Sequence, residues 1–371
     1  MQLSELSWLN TQVLWAGFFL SVVFGVIAQR THFCTMGAVS DVVNIGDWSR
    51  MGQWALAMGV AMIGFALLGY TGVIDPAKTL HASTRWTWLS ASVGGALFGF
   101  GMVLASGCGS KTLVRIGAGS LKSIVVLVVM GVAAFATLKG ITAVLRVATV
   151  DKVAVEMASG VTLWQWAAAA FGVKPALAGL GLGIGLGGAL ALWALLQKGF
   201  FKLDNLLAGV GLGLVITAMW WVSGGLGYVA EHPETLQEAF LATNSGRAEA
   251  LSFVAPVAYM LDWLMFFSDR SKLLTIGIVS VVGMVAGSAT HAAATRSFRW
   301  EGFRDAQDTG HHLFGALLMG VGGVAALGCT VGQGLSGIST LSLGSFMAVA
   351  AIVAGALLAL RWQVWRIERT G

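Results

Sequence analysis

Three cysteines, Cys34, Cys108 and Cys329, are the only thiols in the 371-residue chain. Two of them end long apolar runs at a glycine: Ser106-Gly107-Cys108-Gly109-Ser110 and Leu327-Gly328-Cys329-Thr330-Val331-Gly332-Gln333-Gly334. The flanks match too. Counting back from each cysteine, Ala105, Gly101 and Gly99 correspond to Ala326, Gly322 and Gly320. Counting forward, Ser120-Leu121-Lys122-Ser123 corresponds to Ser342-Leu343-Gly344-Ser345, with one residue inserted. A pair of glycine-interrupted apolar segments in corresponding places is the sequence mark of a transport site near the bilayer midplane. The free N–H groups and the dipole of a helix N-terminus suit an anion. Glycine and cysteine are also ordinary packing residues of membrane helices. The matched flanks are what favour a site.

In apolar surroundings a thiol keeps its proton, because burial disfavours the thiolate. A neutral S–H is a weak donor that touches a dianion without repelling it. Weak, repeated contacts are what conduction needs, since tight binding traps the ion. The rival chemistry is a covalent relay through persulfides or disulfides. It needs basic partners, which Lys111 and Arg115 offer Cys108, and Arg30 and His32 offer Cys34. Cys329 has no basic residue for many positions on either side, which counts against a uniform relay. No Cys-x-x-Cys occurs either. Cys34 has no counterpart at Gln197-Lys198-Gly199-Phe200-Phe201-Lys202, the stretch taken to correspond to it. Lys111, Arg115 and Lys122 follow the first break and have no equivalent after the second. They offer a positive approach for an anion, or anchor to lipid phosphates.

The elements that must position these residues are apolar. Hydrophobic residues make up 57% of the chain and charged ones 11%, against about 25% charged in a soluble domain. The expectation is an all-α integral membrane protein. Candidate spans run over 13–28, 54–74, 90–106, 120–145, 176–196, 205–228, 273–289, 313–327 and 341–360. That makes about nine transmembrane helices, with short re-entrant helices beside them. Thr35–Asp47 reads as a short helix, Phe253–Phe267 as a half-span or interfacial piece, and Trp164–Phe171 as interfacial. Residues 1–150 form a first repeat, 151–175 a connecting loop and 176–371 a second repeat, inverted against the first. Arg361, Arg366 and Arg369 follow the last span and nothing basic precedes the first. The positive-inside tendency then puts the N-terminus outside and the C-terminus in the cytoplasm.

Several classes are excluded or disfavoured. The net charge of +5 is spread between apolar runs, so nucleic acid is not a partner. Met1–Asn10 has no Lys or Arg, so the first run is a retained span rather than a cleaved signal peptide. Three thiols beside apolar runs do not make a disulfide framework. Gly179, Gly183 and Gly187 lie four apart, a helix-packing stripe and not a dinucleotide loop. His291, His311, His312, Asp305 and Asp308 lack metal-ligand spacing. No ATP-binding loop occurs, and no cofactor is called for.

The phrases Arg30-Thr31-His32-Phe33-Cys34-Thr35-Met36-Gly37, Gly107-Cys108-Gly109 and 327–334 resemble the YeeE/YedE family of bacterial inner-membrane sulphur-transport proteins. The segment Ser297-Phe298-Arg299-Trp300-Glu301-Gly302-Phe303 is similar to that family too, and the likeness covers nearly the whole chain. The resemblance implies thiosulfate uptake through an hourglass-shaped bundle of inverted repeats with re-entrant loops. It implies that the ion passes inward along Cys34, Cys108 and Cys329 by transient S–H to sulfur contacts. Gly107, Gly109, Gly328, Thr330, Arg30, His32 and Lys111 complete the expected path. It further implies a separate cytoplasmic TusA-like sulfur carrier as partner, beside membrane lipid. Some relatives are linked to selenium compounds instead.

Overall fold

A computed structural model describes residues 3–269 and 271–370. Met1, Gln2 and Gly371, the extreme ends of the two expected repeats, lie outside the described residues. The protein is almost wholly helical, with two short antiparallel strand pairings and no larger sheet among the described residues.

The first half runs α1 (Leu3–Arg30), α2 (Thr35–Ile45), α3 (Ser49–Tyr70), α4 (Trp88–Leu104), α5 (Gly109–Gly117) and α6 (Leu121–Lys139). Two small helices follow, α7 (Ile141–Ala148) and α8 (Leu163–Phe171), and then α9 (Pro175–Leu195). The second half runs α10 (Leu203–Leu206) and α11 (Leu212–Trp221), which are pieces of one helix that continues through π-wound turns to Leu226. After them come α12 (Ala255–Met265), α13 (Ile276–Ala294), α14 (Ala306–Ala325), a partly π-wound helix over 330–339, and α15 (Leu343–Thr370).

Eight helical stretches among the described residues are long and apolar enough to cross a membrane. The expected number was nine. The difference is α14, which is 20 residues long but carries Asp308, His311 and His312 in its first two turns. It still packs inside the bundle, between α4 and α6.

Glycine contacts give the helix directions. Gly17 meets Ile276, Val22 meets Gly287, and so α1 and α13 run parallel. Gly94 meets Ala325 while Gly101 meets Gly315, so α4 and α14 are antiparallel. Gly95 meets Ala348 and Gly99 meets Ile352, so α4 and α15 are parallel. The approaches are close: a Cβ on Gly99 would lie 2.0 Å from the Ile352 carbonyl oxygen. Only glycine lets the two backbones meet there, as membrane helices without a hydrophobic drive to associate require. We call the side where α1 begins face N and the side where α15 ends face C. Arg30, at the end of α1, pairs with Asp204 at the start of α10 on face C.

These directions match the two halves helix by helix, with opposite sense. The run of α1 to α6 finds its inverted counterpart in α10–α11, α12, α13, α14, helix 330–339 and α15. Packing follows the same pairing: α1 lies on α13 as α11 lies on α3, and α6 on α14 as α15 on α4. Helix α9 has no counterpart; it lies against α3. The stretch expected to correspond to Cys34, 197–202, follows this extra helix. The position equivalent to Cys34 is Val254, which N-caps α12 as Cys34 N-caps α2.

Candidate functional site

Each cysteine follows the same backbone device. A helix closes on a non-glycine residue in the left-handed region, two positions before the cysteine: His32 at φ 53°, Ser106 at φ 55° and Leu327 at φ 57°. The next N–H reaches back five residues. Phe33 N donates to Ala28 O at 3.2 Å, Gly107 N to Met102 O at 2.8 Å, and Gly328 N to Gly323 O at 2.8 Å. This is the Schellman closure, normally built on glycine. A non-glycine residue there costs about 1–2 kcal/mol, which the surrounding packing offsets. The cysteine then begins the next helix as its N-cap. Gly37 N donates to Cys34 Sγ at 3.5 Å and Gly332 N donates to Cys329 Sγ at 3.4 Å. Cys108 holds the same N-cap place but makes no side-chain cap hydrogen bond. At Cys34 and Cys329 sulfur takes the place of the usual capping oxygen.

The three caps converge. The side chains of Cys34 and Cys108 are neighbours. Cys108 Sγ lies 3.2 Å from Ser110 Oγ, and Thr330 stands nearby. Thr330 adjoins Cys329, whose sulfur meets the backbone of Phe253, Val331 and Gly332. The order through the centre is therefore Cys34, Cys108, Cys329. All three are buried and unbridged.

The two ends of this row differ. Lys111 and Arg115 stand three and seven residues after Cys108, and Gly332 and Ser336 hold the same places after Cys329. Among the described residues neither Lys111 nor Arg115 has a carboxylate within ion-pair distance. Lys111 is near both Cys34 and Cys108, and near the cations Arg115 and Arg50. His32 and His291 border the same basin toward face C. Arg50 is paired with Asp41 at 3.3 Å. On the other side, Ser336 Oγ donates to Leu251 O at 2.7 Å, and Gln333 Nε2 donates to Ala326 O at 2.6 Å across the break. A small cavity of about 50 Å³ leads to Gln333 from face N, past His81 and Ser345. Burial pushes the His81 imidazole down to about 4, so it adds no charge near neutral pH.

The structure gathers Cys34, Cys108, Cys329, Gly107, Gly109, Gly328, Thr330 and Lys111 at the centre. Gly107 lies against the stem of Lys111 and Gly328 against that of Gln333. Gly109 backs onto Met130 and the Phe253 carbonyl. Arg30 stands apart, half-exposed on face C with Asp204. His32 is exposed at the rim. Sequence reasoning missed Phe253–Val254. The signal was Pro256, which sits in the first turn of a helix and so marks a cap just before it.

Outside the spans, the loop 296–305 ties the end of α5 to the start of α6. Glu301 O accepts from Leu121 N at 2.9 Å, and its carboxylate lies 2.5 Å from Lys122 Nζ. That ammonium holds the Glu301 carboxyl below the usual carboxylate range.

A polytopic bundle whose broken helices aim polar ends at one buried centre is a membrane transporter in architecture. The model of the sulphur-transport family matches residues 30–358, and the chain belongs to that family. Its class of function is thus transport of sulphur-containing anions. The chain is similar to the thiosulfate transporter TsuA of Spirochaeta thermophila, 26% identical over 352 residues, 91% of this chain and 94% of the relative. It is also similar to TsuA of Escherichia coli K12, 25% identical over 332 residues, 86% of each chain. A shorter likeness joins it to the probable transporter YedE of Escherichia coli K12, 29% identical over 108 residues, 29% of this chain and 25% of the relative.

Proposed function

We propose that this protein takes up thiosulfate, the substrate its two long relatives are named for, and passes it along Cys329, Cys108 and Cys34. The observation that carries this reading is the row of three buried sulfurs, each at the positive end of a helix. Neutral thiols and backbone N–H groups hold the ion weakly at successive points, and no single site binds it tightly. Gly107, Gly109, Gly328 and Thr330 keep the breaks narrow, and Lys111 draws the ion toward face C, with His32 and Arg30 at its rim. Face C is the cytoplasmic side of the bacterial inner membrane on this reading. The arginines of 296–304 and 361–369 on that face support it. Residues 1–150 and 176–371 act as the inverted repeats, joined by 151–175, with α9 as an insertion beside the second.

Moving a dianion into a cell at 100 mV, inside negative, costs about 4.6 kcal/mol, from about 2.3 kcal/mol per charge. Uptake therefore runs with a coupled cation or with removal of the ion inside. A separate TusA-like carrier at face C supplies the latter, and membrane lipid surrounds the bundle. Uptake of labelled thiosulfate into liposomes, with and without an ion gradient, tests the reading. Equal competition by sulfate refutes selectivity for sulphur.

The contact between Cys34 and Cys108 beside Lys111 favours one second reading, a sulfur-transfer relay through a persulfide. Cysteine to serine variants separate the two. Serine keeps a donor, so a hydrogen-bonded path retains some flux while a covalent relay stops.

A further inference from the structure

The three left-handed residues that precede the cysteines carry different side chains. His32 is exposed, Ser106 is half-buried, and both are polar. Leu327 is apolar and 58% exposed. Every other residue from 322 to 342 is buried, Cys329 among them. A glycine would hold this backbone without strain, since the Cβ is what makes the left-handed region costly. A side chain held there against strain points to a use for it. Leu327 lines the face-N cavity together with Leu80, His81, Gln333 and Ser345. Arg85 lines it too, but its guanidinium is taken up by the Asp151 carbonyl at 2.7 Å and the Glu156 carboxylate at 3.9 Å. Gln333 is 3% exposed, and its amide is spent on Ala326 O across the break. What the cavity presents most openly beside Cys329 is therefore the leucine.

We propose that Leu327 is an apolar gate at the face-N mouth of the row, and that it selects anions by how readily they shed water. An apolar constriction offers an entering ion nothing in exchange for its hydration. Sulfate holds its water on equivalent charged oxygens all round. Thiosulfate carries part of its charge on a large, soft sulfur, which gives up water more readily. The gate thus passes thiosulfate sulfur-first toward Cys329 and holds sulfate back. It binds neither ion, so it discriminates without trapping. The proposal rests on the transport reading above and adds the residue that sets selectivity at entry.

The test uses purified full-length protein in liposomes, with Leu327→Gly, Leu327→Asn and Leu327→Met. Glycine and asparagine suit the left-handed backbone, so both variants keep the fold. Leu236 supplies the control. It is a leucine in the same conformation, φ 54° and 71% exposed, on the loop 230–238 outside the cavity. The expected result is that sulfate inhibits thiosulfate uptake at about tenfold lower concentration in Leu327→Gly and Leu327→Asn. Leu327→Met, which keeps an apolar side chain of similar volume, and Leu236→Gly match wild type. Unchanged sulfate inhibition in Leu327→Gly and Leu327→Asn, with intact gel-filtration and melting profiles, overturns the gate. So does an equal change in Leu236→Gly, which assigns the effect to backbone strain, or in Leu327→Met, which assigns it to shape. If wild-type liposomes take up no thiosulfate, the transport reading is what fails. Labelling of Cys329 then decides the gate alone. A charged sulfonate thiol reagent and a neutral one are applied to detergent-solubilised wild type and Leu327→Gly, and adducts are read by peptide mapping. The ratio of the two rates cancels the opening of the helix at Cys329. A charged-to-neutral ratio about tenfold higher in Leu327→Gly supports the gate, and an equal ratio refutes it.

Discussion

The breaks at Cys108 and Cys329 share one backbone and differ in what they carry. Both close a helix on a left-handed residue, both reach back five residues for a carbonyl, and both place a cysteine just before the next helix. After Cys108 come Lys111 and Arg115, and Cys34 supplies a second thiol. After Cys329 come Gly332 and Ser336, and Val254 stands where a thiol would be. In the proposed function the duplicated backbone provides the passage. The side chains break the duplication, with Lys111 and Arg115 beyond Cys108 toward face C and Ser336 and Gln333 beyond Cys329 toward face N. A charge near a low-dielectric centre acts over a longer reach than one in water, so two unpaired cations suffice to bias the path.

The most damaging change removes the thiol in the middle of the row. Cys108→Ala is expected to cut liposome uptake to roughly one-hundredth or less, equivalent to about 2.7 kcal/mol of barrier. A fall no greater than that of Cys329→Ala would mean that the order of the row has no functional weight. Next is the charge. Lys111→Met should lower initial uptake about tenfold at low ionic strength and flatten its salt dependence. Ser336→Ala, at the mirrored place of Arg115, should leave the salt profile intact, and equal effects from both would erase the asymmetry. A third experiment restores symmetry. Val254→Cys should change uptake less than about threefold, since it removes little volume from a tolerant wall. It should give Cys329 a thiol neighbour that a mild oxidant can link, read by peptide mapping without reductant. No linkage would mean that the cap of α12 does not mirror that of α2.

The smallest effect lies at the loop on face C. Glu301 has its pKa lowered by Lys122, so it stabilises the fold above the ordinary carboxylate range, near 4.3. That contribution is lost as pH falls through the lower folded value. Its carboxylate is half-exposed, so the contribution is about 1 kcal/mol or less. Melting of wild type should exceed that of Glu301→Gln at pH 6, and the gap should narrow as the pH falls below the ordinary carboxylate range. A constant gap would show that the side chain acts through packing.

The apolar spans and the two Gly-Cys breaks were legible in the sequence because both are local: period, length and a glycine interruption lie within a few residues. The place of Cys34 was not. Its contact with Cys108 spans 74 positions of sequence, from α2 to α5, and depends on how α1 packs. Taking 197–202 as its counterpart followed from treating α9 as the first helix of the second half, and nothing in the α9 sequence marks it as extra. Phe253–Phe267 was legible as a piece too short to span, and α12 is such a piece. What it caps was hidden, since Val254 carries no polar signal. The exposure of Leu327 was hidden for another reason. It is a property of packing, and no sequence shows it.

Cys34 and Cys329 are at once contacts on the proposed path and the first link of a helix. A reagent that alkylates Cys34 or Cys329 takes away the acceptor of Gly37 or Gly332. It frays the helix it was meant only to label. The rate at which a thiol reagent enters therefore measures how often the first turn of that helix opens. Slow labelling at Cys329 and faster labelling at Cys34 would rank the local stability of the two gates without any transport assay.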